Sequence, residues 1–379
     1  MNTSTRLNTS NVPHSNRHFS FYPALVAGFL LYILAVSWAW ADTTQQYQLQ
    51  AGDKGFRLVQ KEVTLPALEQ GQVLVRVRAV SLNRRDVYMV QGSYPAGDLN
   101  GRVPVSDGAG EVIATGPGVS RFKKGDRVVG TFFTRWIDGK ISLEALGSAR
   151  GGQVDGMLSK KAIAHEDSLV SIPAHLSFEE AATLPCAGVT AWNALYKTVK
   201  LMPGEYVLLE GTGGVSVFGL LFAVAAGAKP IITSSSDAKL KRARKLGAVA
   251  TINYRTNPDW EKEVRAATDN AGVDQVLEVG GKDTLPKAFE SLAFGGHIAM
   301  IGLLSGFPTQ LPAGSIMRIG AKISGIYVGS RADFEAMNTF ISTHKIKPVI
   351  DKVFPYKDTL KAFEYMDGPD LFGKVVITL

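Results

Sequence analysis

The sequence predicts an α/β fold, a compact β-barrel half followed by a doubly wound parallel sheet, from three features. Tyr206 to Lys245 reads as a strand, a glycine turn, an apolar helix, a second strand and the start of a basic helix. The strands VLLEG, IITSS, ATINY, VDQVLEVG, GHIAMIG and KISGIYVG alternate with helices near 215–226, 237–246, 258–268, 283–293 and 330–343. That alternation demands a parallel sheet covered on both faces. Tyr47 to Pro173 instead carries short β-runs between Gly, Pro and Asp turns.

Residues 1–44 stand apart from this plan. Phe21 to Ala41 has no charged residue, follows a polar lead containing Arg6 and Arg17, and matches the roughly twenty apolar residues that span a bilayer. The Ala39-Trp40-Ala41 triplet before Asp42 also looks like a signal-peptide cleavage site. A membrane anchor, favoured by the length of the run, a cleaved leader and an upstream extension absent from the working protein all stay open. The first two imply membrane contact or export through 21–41, the third a cytoplasmic protein.

Residues 45–175 are expected to form the barrel, with strands VLVRVRAVSLN at 73–83, GEVIATG at 110–116, DRVVGTFF at 126–133 and LVSIP at 169–173. The polar, glycine-rich stretch 135–156 reads as a long loop over it. The next region, 176–334, opens with a helix: Ser177 is an N-cap with Glu180 three residues on, and Leu184, Ala187, Ala191 and Leu195 continue an apolar face. The tail, 335–379, returns to the barrel through a helix at Tyr356 to Met366 and the strand KVVITL.

The glycine turn carries the first chemical signal. Gly211, Gly213 and Gly214, just before Val215, sit where the buried strand Val207 to Leu209 reverses into a helix. Residues without a Cβ let backbone N–H groups close on a pyrophosphate there. Ser216 replaces the third glycine of G-x-G-x-x-G and is small enough for close helix packing. An acid at the end of the second strand would accept from an adenosine 2′-hydroxyl and repel a 2′-phosphate. Here Ile231 and Ile232 run instead into Thr233, Ser234, Ser235 and Ser236, then Lys239 and Arg242 on one helix face. Hydroxyls and cations suit a phosphate dianion, so NADP(H) is expected over NAD(H).

Composition narrows the function classes. At 379 residues, 45% hydrophobic and 20% charged, the chain has the material for two globular domains. Its net charge of +7 is spread too evenly to indicate nucleic acid. Cys186 is the only cysteine, which excludes an internal disulfide and a four-thiolate zinc lobe. The histidines at 14, 18, 165, 175, 297 and 344 show no metal-ligand spacing.

The segments NRRDVYMVQGSYP (83–95), PVSDGAGEVIATGPGV (104–119), FKKGDRVVG (122–130), AATLPCAGVTAWNAL (181–195), KLGAVATINY (245–254) and FGKVVI (372–377) accompany the glycine turn in order. Together they resemble the medium-chain dehydrogenase/reductase superfamily, most closely its quinone-oxidoreductase-like branch, over nearly the whole chain after Thr44. The resemblance implies a GroES-like barrel carrying catalysis and a Rossmann domain binding the cofactor. Zinc-dependent relatives hold their metal with a cysteine, a His-Glu pair and a later cysteine. The matching positions here are Asn83, Ser106-Asp107 and Cys186, so no metal is expected. Cys186, on an apolar helix face, reads as a small buried hydrophobe.

The branch keeps residues at the spacing of Asn83, Asp86, Tyr88, Gly92, Tyr94 and Pro95, and its Asn and tyrosines line the nicotinamide cleft. That implies catalytic roles for Asn83, Tyr88 and Tyr94, with Asn83 and Tyr88 bonding the substrate carbonyl. The resemblance matches Lys239 and Tyr254 to contacts with the 2′-phosphate. It places Thr190, Gly302, Leu303 and Val328 near the cofactor, and Lys374 after the last turn into the cleft. Relatives dimerise through the edge of the cofactor-domain sheet, which implies a homodimer formed through Lys322 to Val328.

An amide and a phenol cannot polarise an isolated ketone as a metal does, so a conjugated acceptor that delocalises charge is expected. The expected activity is NADPH-dependent reduction of a quinone or α,β-unsaturated carbonyl, with Tyr88 or a water supplying the proton. The loop 135–153 and the helix 330–343 are expected to shape the pocket. Two alternatives stay open: an alcohol/aldehyde dehydrogenase of the same superfamily, and a non-enzymatic NADPH-binding structural or membrane-associated protein.

Overall fold

The computed structural model describes residues 42–307, 310–311 and 313–379, and Asp42–Leu379 forms one compact unit. The apolar run 21–41 lies outside the described residues, among which no helix is long and apolar enough to cross a membrane.

The barrel half begins with β1 (Thr43–Ala51) paired antiparallel to β2 (Phe56–Thr64). The strand therefore starts inside the segment set apart as 1–44, and Thr44 is buried with its hydroxyl 3.1 Å from that of Ser159. Then come β3 (Gln72–Leu82), α1 (Arg84–Val90), β4 (Asp107–Thr115), β5 (Arg127–Gly130), α2 (Leu143–Leu146), β6 (Lys161–His165) and β7 (Leu169–Ser171). In β3, Val75, Val77 and Ala79 turn inward while Arg76 and Arg78 face out, the period-two pattern of a half-buried strand. At the far end of the chain, β14 (Ile350–Pro355), α11 (Thr359–Asp367) and β15 (Lys374–Thr378) return to this sheet. Its strand order is β14-β15-β3-β4-β5-β7, with β6 also on β3. The final strand thus joins the barrel as expected, antiparallel to β3.

A helical passage leads to the second half: α3 (Phe178–Ala182), a π-turn at Leu184–Gly188 and α4 (Val189–Tyr196). Ser177 and Glu180 form the expected capping box. The continuous helix expected from the apolar face is broken at Pro185, which has no N–H to give the preceding turn. Six parallel strands follow: β8 (Tyr206–Leu209), β9 (Lys229–Ser234), β10 (Ala250–Asn253), β11 (Val273–Glu278), β12 (Leu292–Met300) and β13 (Lys322–Gly325), in the order β10-β9-β8-β11-β12-β13. The helices α5 (Gly214–Ala225), α6 (Asp237–Lys245), α7 (Trp260–Ala266), α8 (Leu285–Ser291), α9 (Ala313–Ile319) and α10 (Arg331–His344) are interleaved with them or follow. Alternate strand residues feed opposite layers: Val207, Leu209 and Leu277 join one core, Leu208 and Val276 the other. Strand order reverses between β8 and β11, where a doubly wound sheet opens its ligand crevice.

The long loop 135–156 is docked rather than free. The N–H groups of Arg331 and Ala332, at the start of α10, donate to Trp136 O and Ile137 O at 2.9 and 3.0 Å.

Candidate active site

The catalytic-side geometry starts where β3 stops. Asn83 caps α1, its backbone N–H donating to Asp86 Oδ2 at 2.8 Å. From β15, the Lys374 Nζ donates to Leu82 O at 2.7 Å and to Asn83 Oδ1 at 2.5 Å, and stands 3.8 Å from Asp107 Oδ2. An ammonium can only donate, so the Asn83 amide is oriented by chemistry: oxygen toward Lys374, NH₂ away from it. Asn83 is 7% exposed, and its Nδ2 has no hydrogen-bond partner among the described residues.

Asp107 is fully buried at the start of β4, accepting from Ser106 Oγ at 2.7 Å and from the Cys186 N–H at 3.2 Å. Burial raises its carboxyl pKa, and Lys374 is the strongest opposing influence. The Asn83 amide is near enough to steady that charge but is not in hydrogen-bond geometry with it. Burial also lifts Asp86 to about 6, against the pull of Arg85. Val105, just before this pair, and Val328, across the cleft, both have positive φ, 71° and 57°. Such values are strained for a β-branched residue, and strain of this kind collects at functional sites.

Cys186 packs against the main apolar core, as expected of a small hydrophobe. It is half-buried in the π-turn, and its thiol is pushed up to about 12, first by burial and then by Asp107. The donor set fits zinc poorly. Cys186 is the single thiol beside Asn83 and Asp107, and a cation, the Lys374 ammonium, already takes the Asn83 oxygen and faces Asp107.

The other cleft wall is aromatic. Tyr94 OH lies 3.3 Å from Tyr327 OH, and Tyr327 packs edge-on against Phe132 and Phe133 with centroids 6.4 and 5.2 Å apart. Burial first, then Tyr94, raise the Tyr327 phenol, which keeps it protonated. Tyr88 is half-buried on α1, and its phenol makes no hydrogen bond to the described chain. Neither Arg85 nor Tyr327 was expected from the sequence. Arg85 lies in the motif that carries Asn83, whereas Tyr327 was absorbed into a strand that in fact ends at Gly325.

The cofactor side is organised by the glycine turn. Gly211 has φ +70°, and at Gly211 and Gly213 a Cβ would meet nothing within 4 Å, so this face of the turn is open for a ligand. At Gly214 a Cβ would come within 2.8 Å of Lys374 Cδ, and the Gly373 N–H donates to Thr212 O at 3.0 Å. The phosphate-type turn and the Lys374 cluster are therefore one assembly. Ser216 is buried against the strand end, as its small size allows, and a second close helix-to-sheet approach falls at Gly219, where a Cβ would sit 2.8 Å from Leu209 and Leu277 side chains. Ser216 donates its hydroxyl to Glu210 O at 2.6 Å. Val215 is half-buried in the first turn of α5.

Along the strand ends, Ser235 and Ser236 precede α6, and the Tyr254 N–H donates to Ser234 O at 3.1 Å, with Tyr254 exposed. Lys239 reaches across to Pro369 O. Arg242 is committed elsewhere, contrary to expectation: it pairs with Asp351 at 2.8 Å and lies over the Phe372 ring. Thr190 is buried on α4 three residues before Asn193, whose Nδ2 donates to Val328 O at 2.7 Å. Gly302 has a packing reason of its own, since a Cβ would meet Val279 O at 2.5 Å, and the neighbouring Leu303 is exposed.

Beneath the turn lies a carboxyl pair the sequence did not reveal. Glu278 is held by the N–H groups of Gly280 and Gly281 at 2.7 and 2.8 Å and by the Thr284 hydroxyl. Burial and the Glu278 charge hold the neighbouring Glu210 protonated well above the usual carboxylate range. Its Oε1 finds no donor, which a proton resting on that oxygen explains.

The fold and the turn agree with the relatives. Residues 69–174 match the Alcohol dehydrogenase GroES-like domain family, and residues 214–343 match the Zinc-binding dehydrogenase family. The chain is 46% identical over 318 residues, 82% of its length and 92% of the relative's, to a zinc-type alcohol dehydrogenase-like protein of Schizosaccharomyces pombe. It is 29% identical to an acryloyl-coenzyme A reductase of Metallosphaera sedula, across 84% of this chain and 95% of that one. A crystal structure of a Sinorhizobium meliloti protein described as a candidate alcohol dehydrogenase superposes with a TM-score of 0.84 at 37% identity, covering 89% of this chain and 99% of that one. A β-barrel sheet completed by the C-terminal strand, an open glycine turn on a six-stranded parallel sheet and these likenesses place the chain in the medium-chain dehydrogenase/reductase superfamily of nicotinamide-dependent oxidoreductases.

Proposed function

We propose that this chain reduces quinones or α,β-unsaturated carbonyls with NADPH and without a metal. One observation carries the reading: the buried Asn83 amide has its oxygen clamped by Lys374 and its NH₂ unpartnered. A preorganised donor of this kind, aimed where charge develops on an oxygen, is the usual electrostatic device in the absence of a Lewis acid. Bound NADPH would supply a hydride, which with one proton takes a quinone to its hydroquinone or saturates the C=C bond of an enone.

The chain's own residues do the remaining work. Lys374 positions Asn83, and Asp107 holds Lys374 in place and balances its charge. Asn83 Nδ2 donates to the acceptor oxygen. Tyr327, protonated and bonded to Tyr94, or else Tyr88, gives up the proton. Gly211, Gly213 and Gly214 leave room for the pyrophosphate. Ser235, Ser236, Lys239 and Tyr254 would hold the 2′-phosphate, with Lys239 exchanging Pro369 O for it. The acryloyl-coenzyme A reductase among the relatives supports a conjugated acceptor. The alcohol dehydrogenases support the alternative of alcohol/aldehyde oxidoreduction.

Steady-state oxidation of NADPH against NADH with a small quinone tests this reading. Turnover favouring NADPH is expected; turnover only with simple alcohols or aldehydes overturns it. The same proposal includes a homodimer. Phe307, Leu311 and Met317, which lead into the edge strand β13, are at least half exposed. Sedimentation as a monomer would refute that part.

A further inference from the structure

Resting on the reductase reading above, we propose that Arg85 binds a carboxylate on the substrate, so that the acceptor is a small α,β-unsaturated carbonyl compound bearing a negative charge. Arg85 is 8% exposed. Its guanidinium has five N–H donors. Only Nη1 is used by the described chain, donating to Arg150 O at 2.8 Å, and Nε has no partner. Asp86 is within electrostatic reach of Arg85 but makes no hydrogen bond to it, and one of its oxygens caps α1.

The guanidinium carbon stands 4.6 Å from the Phe132 ring centroid and 5.4 Å from that of Tyr94. Aromatic faces offset part of the cost of burying a cation, but they leave its in-plane donors unused. A carboxylate accepts two parallel N–H bonds from such a fork. Gly152 preserves the space, since a Cβ there would come within 2.9 Å of Arg85 Nη2.

Two neighbours place this guanidinium in the reacting cleft. Cys186 lies within electrostatic reach of Arg85, Asp107 and Lys374 together, and Tyr327 within reach of Arg85, Tyr94 and Cys186. A carboxylate on Arg85 leaves the conjugated carbonyl to Asn83.

The test compares acetylacrylate with its methyl ester, which share a skeleton and differ in charge. Wild-type kcat/KM is expected to favour the acid by about tenfold or more, the worth of one charged hydrogen bond. Arg85→Gln should abolish that preference while the ester is still reduced, and Arg85→Lys should fall between. A wild-type preference for the ester, or equal loss of both substrates in Arg85→Gln, overturns the proposal.

A second measurement needs no folded variant: butyrate, but not butyramide, should inhibit wild-type quinone reduction competitively with the quinone. Equal inhibition by both, or by neither, also overturns it. If no acceptor is reduced, yet calorimetry shows butyrate binding that Arg85→Gln loses, the anion site stands and the reductase reading falls. If neutral quinones turn over but butyrate does not bind, the reductase reading stands and the anion site falls.

Discussion

Lys374→Met keeps the aliphatic stem beside Gly214 and removes the ammonium. Asp107, fully buried, then loses its only cation within 4 Å among the described residues. Breaking a buried pair from one side costs about 3–5 kcal/mol. The Asn83 amide, no longer clamped, is free to turn, and loss of one preorganised donor typically lowers kcat by about 10²–10³. The pH dependence has a defined sign. Burial raises Asp107 and Lys374 opposes it, so in the variant the folded-state carboxyl rises further above its unfolded value. Stability should then be greatest below the unfolded carboxylate pKa and decline as pH climbs through the folded one, more steeply than in wild type. Thermal unfolding across pH, run beside kcat measurements with NADPH and a quinone, reads both effects. Adding Asp107→Asn should restore stability by removing the orphaned charge, yet leave turnover low because Asn83 stays unclamped. An unchanged kcat in Lys374→Met would refute the clamp.

Three further outcomes follow from the geometry. Lys239→Ala should raise KM for NADPH by about tenfold or more and leave KM for NADH unchanged, because only the phosphorylated ribose offers a charged partner; steady-state kinetics with both cofactors checks it. Glu210→Gln should raise the melting temperature at alkaline pH more than at acid pH: the raised Glu210 carboxyl stabilises the fold at low pH, that contribution is lost as pH passes its folded value, and Gln does not ionise. Ser330→Ala should cost about 1 kcal/mol by removing the N-cap, whose Oγ accepts from the Asp333 N–H at 3.1 Å, and should speed hydrogen exchange at the Arg331 and Ala332 amides, which donate to the docked loop.

The sheet was legible because buried parallel strands must be near-continuous apolar runs, and the glycine turn because only such residues permit its backbone. Ser177 and Glu180 announced their helix through cap chemistry. What failed to show depends on contacts between distant residues. Nothing local in FGKVVI says that Lys374 enters the space between Asn83 and Asp107, 291 positions from the former. Glu210 and Glu278 look like ordinary strand-end acids until β8 and β11 pair and bury them together. Arg242 shares a face with Lys239 on α6, but the C-terminal segment claims it through Asp351 and Phe372. The π-turn at Cys186 follows from Pro185 meeting a packed interior, whereas the apolar periodicity pointed only to an unbroken helix.

The central claim is that a lysine-clamped amide does the work of a metal in this cleft. It is tested most directly by the rate of NADPH oxidation with a quinone or enone, before and after exhaustive chelation, with elemental analysis of the same protein. An unchanged rate in protein free of stoichiometric zinc is expected. A rate abolished by the chelator and restored by zinc would contradict the claim.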